Sequence, residues 1–124
     1  MAEFDSILTW TLRNEIAVPA DVQALLVEGE SAVTAFATFR DAAIFTTKRL
    51  IVRDAQGLTG KKVEIYSLPY KEIHMWSSEN ATGMDRDSEL ELWTKAGHIK
   101  VNLRKGADIR RLDSLIAWAV LSAS

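Results

Sequence analysis

The 124-residue sequence has no cysteine, only two prolines, and no apolar run approaching the roughly 20 residues that a membrane span requires. Without cysteine the chain has no disulfide, no thiol nucleophile and no zinc–thiolate site. Its first ten residues, MAEFDSILTW, lack the basic and apolar regions of a secretory signal peptide. We therefore expect a cytoplasmic protein.

The chain also lacks an excess of either charge, because its 15 basic and 17 acidic residues leave a net charge of −2. A nucleic-acid-binding domain of this size is usually more basic, so we expect no nucleic-acid partner. Charged residues make up 26 % of the chain and apolar residues 48 %, which is typical of a globular protein and too apolar for disorder. The length favours a single domain.

The first 27 residues are predicted to be a helical extension. Phe4, Ile7, Leu8 and Thr11 lie on one face at helical spacing, which favours a short amphipathic helix. A second helix is expected to begin at Pro19, which suits a first helical position.

From residue 33 the apolar pattern changes to a period of two, which predicts strands. Seven short strands are expected, over 33–39, 42–46, 49–54, 62–67, 72–78, 89–94 and 98–104. A C-terminal helix follows, with Asp108 as its N-cap and an apolar stripe at helical spacing. Short connections favour antiparallel pairing, so we expect a bent sheet or open barrel closed by the helix.

The last two strands are expected to form a hairpin whose register pairs Leu92 with Val101 and Leu90 with Leu103. This register leaves Ala96-Gly97 as a two-residue turn. It also places Trp93 opposite Lys100, and Glu89 opposite Arg104, on the outer face.

Several local motifs together resemble the bacterial pleckstrin-homology domain family. They are LLVEGE before the first strand, FTTKRLI at a turn, QGLTGKK in a loop, YSLPYKEI after it, and DRDSELELW near the last hairpin. The resemblance covers about Leu25 to Leu115. It implies a pleckstrin-homology-like barrel over 28–124, with seven antiparallel strands in two near-orthogonal sheets capped by the C-terminal helix. It also implies cyclic homo-oligomers, and no established enzymatic activity or ligand.

Two of these motifs carry candidate anion contacts. In FTTKRLI, the threonines and Arg49 are expected mainly to stabilise the turn, with Arg49 reaching nearby carbonyls or an acid. In QGLTGKK the Gly-Lys-Lys segment enters a strand rather than a helix, which argues against a nucleotide-binding loop. Lys48, Arg49, Lys61 and Lys62 remain candidates for an anionic lipid headgroup if their loops converge.

Catalytic and metal chemistry find little support in the sequence. Asp85, Asp87, Glu89 and Glu91 alternate on one face but do not form a complete calcium loop. His74 and His98 have no second histidine or aspartate at ligand spacing, and no serine lies in a nucleophile elbow. We expect no metal, no cofactor and no enzymatic activity.

Tryptophans outside the apolar pattern indicate a contact surface. If Ile73 and Met75 face the core, His74 and Trp76 face outward. The predicted interface with another copy or a partner protein comprises Trp76, Trp93, Trp118, Leu121 and His74. The alternative is that the N-terminal helix covers some of these residues.

Two functions follow from these expectations. The first is a non-catalytic scaffold domain that forms a cyclic homo-oligomer and engages a protein partner. The alternative is a peripheral membrane module that binds anionic headgroups through Lys48/Arg49 and Lys61/Lys62, although the short Arg40-Asp41 connection offers no basic loop for them.

Overall fold

The computed structural model describes residues 7–56, 62–80, 87–104 and 106–122. These residues form eight strands, one α-helix and two short 3₁₀ helices, Ala20–Leu25 and Tyr70–Glu72. The longer elements are β1 (Ile7–Ile16), β2 (Ala32–Thr38), β3 (Asp41–Thr46), β4 (Arg49–Gln56), β5 (Lys62–Pro69), β6 (Ile73–Glu79), β7 (Ser88–Thr94), β8 (Gly97–Leu103) and α1 (Ile109–Leu121). The seven predicted strands match β2 to β8 within two residues at each end.

The strands form one continuous sheet in the order β5-β4-β3-β2-β1-β8-β7-β6. β1 runs antiparallel to β2 and parallel to β8, and thereby joins the two halves of the sheet. The sheet curls around a core to which nearly every strand and α1 contribute. The predicted mainly β fold with a C-terminal helix is confirmed. The prediction of seven strands in two sheets is wrong, because an eighth strand joins the two halves.

β1 occupies the segment that was predicted to be an amphipathic helix. Leu12 is fully buried, and Trp10, two residues earlier, packs against the same core. Inward-facing side chains at every second residue are typical of a strand. Each residue of Ile7–Leu12 also pairs with a residue of β8. The helical prediction for the N-terminal extension is therefore wrong over β1, while Phe4 lies outside the described residues.

The connection from β1 to β2 packs on its own sheet. Its 3₁₀ helix follows Pro19, where a second helix was predicted to begin, and buries Val22 completely. Val22 covers the second face of the central strands, in a cluster with Ala35, Ala42, Ile44 and Ile51. Burial on both faces explains why β3 reads as an unbroken apolar run rather than an alternation.

The β7–β8 hairpin has a different register from the predicted one. Leu90 pairs with Val101 and Leu92 with Ile99, so the turn residues are Lys95 and Ala96. The predicted pairs were wrong by two residues. A register shift of two leaves every side chain on the same face of the sheet, so the apolar pattern cannot distinguish the two registers.

The C-terminal helix begins at the predicted cap. The Asp108 carboxylate accepts a hydrogen bond from the backbone N–H of Arg111 at 3.2 Å. The helix buries Ile109, Leu112 and Ile116 against the sheet. Within the described residues, neither this helix nor any other is long and apolar enough to cross a membrane.

Candidate functional site

A buried ion pair between Glu30 and Arg49 ties the segment before β2 to the β3–β4 turn. Arg49 Nε donates to Glu30 Oε2 at 2.9 Å, and Arg49 Nη2 donates to Oε1 at 3.2 Å. The Thr46 hydroxyl donates to Glu30 Oε2 at 2.6 Å and accepts from the Arg49 backbone N–H at 2.9 Å. The motifs LLVEGE and FTTKRLI are therefore two halves of one structural unit.

Opposing effects set the ionisation of Glu30, whose side chain is only 1 % exposed. Burial raises the pKa of this carboxyl, but hydrogen bonds from Arg49, Thr46 and the Val27 backbone N–H outweigh burial. The net result is a pKa below the usual range. A buried carboxylate of this kind depends on its partners, because an unpaired charge in the interior is strongly destabilising.

Two further N–H groups of Arg49 are also occupied. Nη2 donates to the Leu25 carbonyl oxygen at 2.7 Å, and Nη1 donates to the Ser67 hydroxyl at 3.1 Å. The structure thus places Arg49 in the turn-stabilising role predicted from FTTKRLI. Its guanidinium is committed to protein acceptors instead of being presented to an external anion.

The other predicted anion contacts do not converge. Lys62 begins β5 opposite Gln56, whereas Arg49 pairs with Pro69 at the other end of the same ladder. At about 3.3 Å per residue, that separation is more than about 20 Å. Lys48 lies in the turn next to Arg49, and Lys61 lies outside the described residues. No joint patch of Lys48 and Lys62 forms.

Trp76 faces the core, contrary to the prediction. The β6–β7 ladder has an irregularity between Ile73 and Met75, which shifts the alternation of side chains along β6. Ile73 is buried, Met75 is 54 % exposed, and Trp76 packs against the core. His74 is exposed, as predicted. The local sequence does not reveal this irregularity, because a regular strand and a bulged strand both give alternating side chains along β6.

The inward position of Trp76 is held by α1. The Trp76 indole N–H donates to Oδ1 of Asp113, a residue of α1, at 3.2 Å. The Ser78 hydroxyl donates to the other oxygen of the same carboxylate. This carboxylate therefore joins the helix to the edge strand β6.

We expect Asp113→Ala to lower the free energy of unfolding by about 1–3 kcal/mol, because it leaves two half-buried donors without an acceptor. Urea denaturation followed by tryptophan fluorescence measures the loss. The adjacent exposed residue supplies the control, since Ser114→Ala should change stability by no more than about 0.5 kcal/mol. Equal losses in the two variants would contradict a coupling role for Asp113.

Trp93 faces away from the core, as predicted, but it is not free. Its ring stacks on His98 with centroids 4.6 Å apart and planes 11° apart. His98 Nε2 lies 2.6 Å from Glu91 Oε2. The half-buried Trp93 thus belongs to a cross-strand cluster on the outer face, and only part of its ring remains available to a partner.

The acidic run at the start of β7 is neutralised within the sheet. Glu89 Oε2 lies 3.7 Å from Lys100 Nζ, so the expected partner Arg104 is replaced by Lys100, whose backbone pairs with Glu91. Asp87 is exposed, and Asp85 lies outside the described residues. Across the described ranges, no group of three histidine, aspartate or glutamate side chains is placed to hold a metal ion.

The C-terminal part of α1 carries two exposed residues of the predicted interface. Trp118 is 59 % exposed and Leu121 is 70 % exposed. Both positions agree with the prediction that they lie off the apolar stripe of the helix. Their exposure leaves a bare apolar surface at the end of the molecule where β5 is connected to β6.

Trp118 also lines an open groove of about 630 Å³. The other walls are the turn at 27–30, the β3–β4 turn with Lys48, and the second 3₁₀ helix with Lys71. Lys71 was not among the predicted site residues. The available signal was Pro69, which ends β5 and turns the chain back towards Lys48.

Comparisons with known proteins agree with this architecture. The family model described as "Bacterial PH domain" matches residues 4–120. The uncharacterized protein YjqA of Bacillus subtilis (strain 168) is 46 % identical over 83 residues, which cover 67 % of this chain and 66 % of that relative, just under two thirds of its length.

Two crystal structures are also similar. A duf1696 family protein with a pleckstrin-homology domain from Shewanella loihica PV-4 has a TM-score of 0.70 at 37 % identity, covering 84 % of this chain and 95 % of that chain. A pleckstrin homology domain from Shewanella amazonensis SB2B has a TM-score of 0.60 at 38 % identity, covering 82 % of this chain and 84 % of that chain. These matches confirm the resemblance seen in the motifs, and the chain belongs to the bacterial PH domain family.

Proposed function

We propose that this chain is a non-catalytic scaffold domain of the cytoplasm, which assembles with its own copies into a closed ring and presents that ring to a protein partner. The observation that carries the proposal is the open edge of the sheet at β5. Six consecutive β5 residues, 62–67, are exposed, and three of them are large and apolar. A long exposed apolar edge strand favours pairing with another chain.

The two edges of the sheet suit a head-to-tail contact. β5 offers Val63 and Ile65, which are 49 % and 43 % exposed, while the opposite edge β6 offers Met75 and His74. A contact between two different surfaces of the same chain generates a ring whenever its rotation closes. Trp118 and Leu121 lie on the helix that packs against β6, and they add an exposed apolar surface to the proposed contact.

Light scattering after size exclusion, at tens of micromolar chain, tests the assembly. The expected result is a multiple of the 13.8 kDa chain mass. A charge placed on the β5 edge by Ile65→Lys should dissociate the assembly, and Trp118→Glu should do so if the helix surface shares the contact. A monomer for the unmodified chain would contradict the proposal.

Phe39 supplies the matched control. It is 91 % exposed in the β2–β3 turn, away from both edge strands, so Phe39→Lys changes an equally apolar surface residue and should leave the mass unchanged. Dissociation by Phe39→Lys as well as by Ile65→Lys would show that charge alone, and not the edge, governs assembly.

The lipid-headgroup alternative has no specific observation in its favour. Arg49 is committed to Glu30, and Lys48 and Lys62 lie at opposite ends of the β4–β5 ladder. We therefore do not advance membrane binding as a second function.

A further inference from the structure

The groove beside Trp118 combines an aromatic wall with an excess of positive charge. Its lining contains three cations, Lys48, Arg49 and Lys71, and one carboxylate, Glu30. Glu30 and Arg49 neutralise each other. Within the described part of the chain, neither Lys48 nor Lys71 has a carboxylate partner, so two cations remain for an external anion in a chain whose net charge is −2.

Backbone hydrogen bonds fix the walls that carry these lysines. The Tyr70 N–H donates to the Lys48 carbonyl oxygen at 3.0 Å, which holds the second 3₁₀ helix against the β3–β4 turn. The Thr47 N–H donates to the Ser31 carbonyl oxygen at 2.8 Å, and the Ser31 N–H donates to the Thr47 hydroxyl at 3.1 Å. The site is therefore built before any ligand arrives, which lowers the ordering cost of binding.

Gly29 lies beside the Lys48 side chain on the same wall. Its φ of +83° is a backbone conformation that glycine adopts without strain. A Cβ at this position would lie 4.0 Å from Cε of Lys48, so the Lys48 stem runs along the turn at Gly29.

Tyr70 lies behind the groove surface, with its hydroxyl buried. The residue is 1 % exposed, and its hydroxyl finds no acceptor among the described residues. Burial and the neighbouring Glu30 carboxylate raise the pKa of Tyr70 well above its ordinary value, so the hydroxyl stays protonated and remains a donor. An unpaired buried donor is uncommon in native proteins and destabilising. Because this hydroxyl is buried, the contacts proposed for an anion are those of the two lysines.

We propose that the groove binds a small organic anion with a flat apolar part, whose anionic group contacts Lys48 and Lys71 and whose ring packs on Trp118. The volume, about 630 Å³, falls within the range of about 300–1,000 Å³ that is typical of small-molecule sites. The C-terminal end of α1, at Ser122, also lines the groove and carries partial negative charge, which opposes anion binding on that side and leaves the lysines as the contacts for the anionic group.

Trp118 belongs both to this ligand site and to the helix surface proposed for the ring, and titration with a fluorescent aromatic sulfonate tests the ligand site by itself. The full chain is titrated with 1-anilinonaphthalene-8-sulfonate, and binding is expected to be saturable at one dye per chain. The double variant Lys48→Ala/Lys71→Ala should weaken binding about tenfold, because it removes both charges that contact the anionic group. Trp118→Ala should weaken it by a similar factor through the lost ring contact.

Two controls separate the contribution of the anionic group to binding from that of the aromatic rings. The variant Arg13→Ala/Lys95→Ala removes two exposed cations that lie outside the groove and outside the β5 edge, and it should bind the dye like the unmodified chain. N-phenyl-1-naphthylamine has the same rings without the sulfonate, so it should bind more weakly and should not respond to loss of the lysines. If the lysine double variant binds the sulfonate unchanged, or the neutral amine binds as tightly as the sulfonate, the proposal is overturned.

Competition identifies the source of the anion. Phenyl phosphate is expected to displace the dye, whereas displacement by phosphatidylglycerol vesicles alone would overturn a small-molecule site. Light scattering of each variant, recorded beside the titration, reads the assembly separately. A monomeric chain that binds the dye would contradict the ring and leave the groove standing, and an intact ring without dye binding would do the reverse.

Discussion

Arg49→Ala is expected to lower the free energy of unfolding by about 3–5 kcal/mol, the usual range when one partner of a buried ion pair is removed. Glu30 would keep its charge in a position where its side chain is 1 % exposed. Thr46 and the Val27 N–H would still donate to it, but neither carries a compensating charge. The loss also frees the Leu25 carbonyl oxygen that Arg49 now satisfies. Denaturant unfolding at neutral pH measures the effect.

The same variant should show an altered dependence of stability on pH. In the unmodified chain the pKa of Glu30 is lowered, so its contribution is fully present above the unfolded pKa and is lost as the pH falls through the folded pKa. Without Arg49, two of the causes that lower the pKa of Glu30 are lost while burial remains, so the folded pKa rises and acid neutralises the unpaired charge more readily. The stability difference between the two chains should therefore shrink as the pH is lowered from about 7 to about 4. A constant difference would contradict this origin.

Two further variants isolate the buried charge. Arg40→Ala removes a guanidinium that is 61 % exposed and lies 3.4 Å from Asp54, and it should cost no more than about 1 kcal/mol. Adding Glu30→Gln to Arg49→Ala replaces the unpaired carboxylate by a neutral amide and should recover part of the loss. Failure of the second change to restore stability would assign the effect to lost packing of the arginine stem.

The pairing of Glu30 and Arg49 also shows how far the sequence could predict the site. Arg49 was expected to reach a carbonyl or an acid near its turn, which is the role that the structure gives it. The identity of the acid was not accessible, because Glu30 lies 19 residues earlier and the contact depends on how the connection before β2 folds back. Lys71 was missed for the same reason, since only the backbone contact between Tyr70 and Lys48 brings it to the groove.

Strand positions were predictable wherever a single period dominated. β2 to β8 each show an alternating or continuous apolar pattern bounded by turn residues, and the structure agrees closely. Two features could not be predicted, because each has an alternative arrangement that fits the same apolar pattern. A shift of the hairpin register by two residues leaves each side chain on the same face of the sheet. The irregularity between Ile73 and Met75 moves the following side chains of β6 to the opposite face, and no residue type in the sequence indicates it.

The N-terminal strand is the largest departure, and its sequence supports two periods. Ile7, Leu8 and Thr11 fit a helical face, whereas Leu8, Trp10 and Leu12 fit one face of a strand. The segment TWT is rich in aromatic and β-branched residues, which favours a strand on a half-buried surface. The decisive factor is tertiary, because β2 and β8 each offer an edge that β1 fills.

Leu12→Ala should therefore destabilise the whole domain rather than an appended helix, with a loss of about 2–5 kcal/mol in the free energy of unfolding. Leu12 is 0 % exposed, and its backbone pairs with Thr38 on β2 and Leu103 on β8, where the two halves of the sheet meet. Its carbonyl oxygen also accepts from the Arg104 N–H at 3.0 Å. Truncation leaves a cavity at this junction, and denaturant unfolding followed by circular dichroism measures the cost.

Leu8→Ala is the matched control, because Leu8 lies on the same face of the same strand but is 46 % exposed. Its removal should cost about 1 kcal/mol or less, since much of its apolar surface already faces water. An appended helix predicts small and similar losses for both variants, as well as an unchanged unfolding transition for the rest of the chain. A large loss confined to Leu12, with a single transition that moves as a whole, is what an integral eighth strand requires, because the core on both sides of β1 then unfolds together.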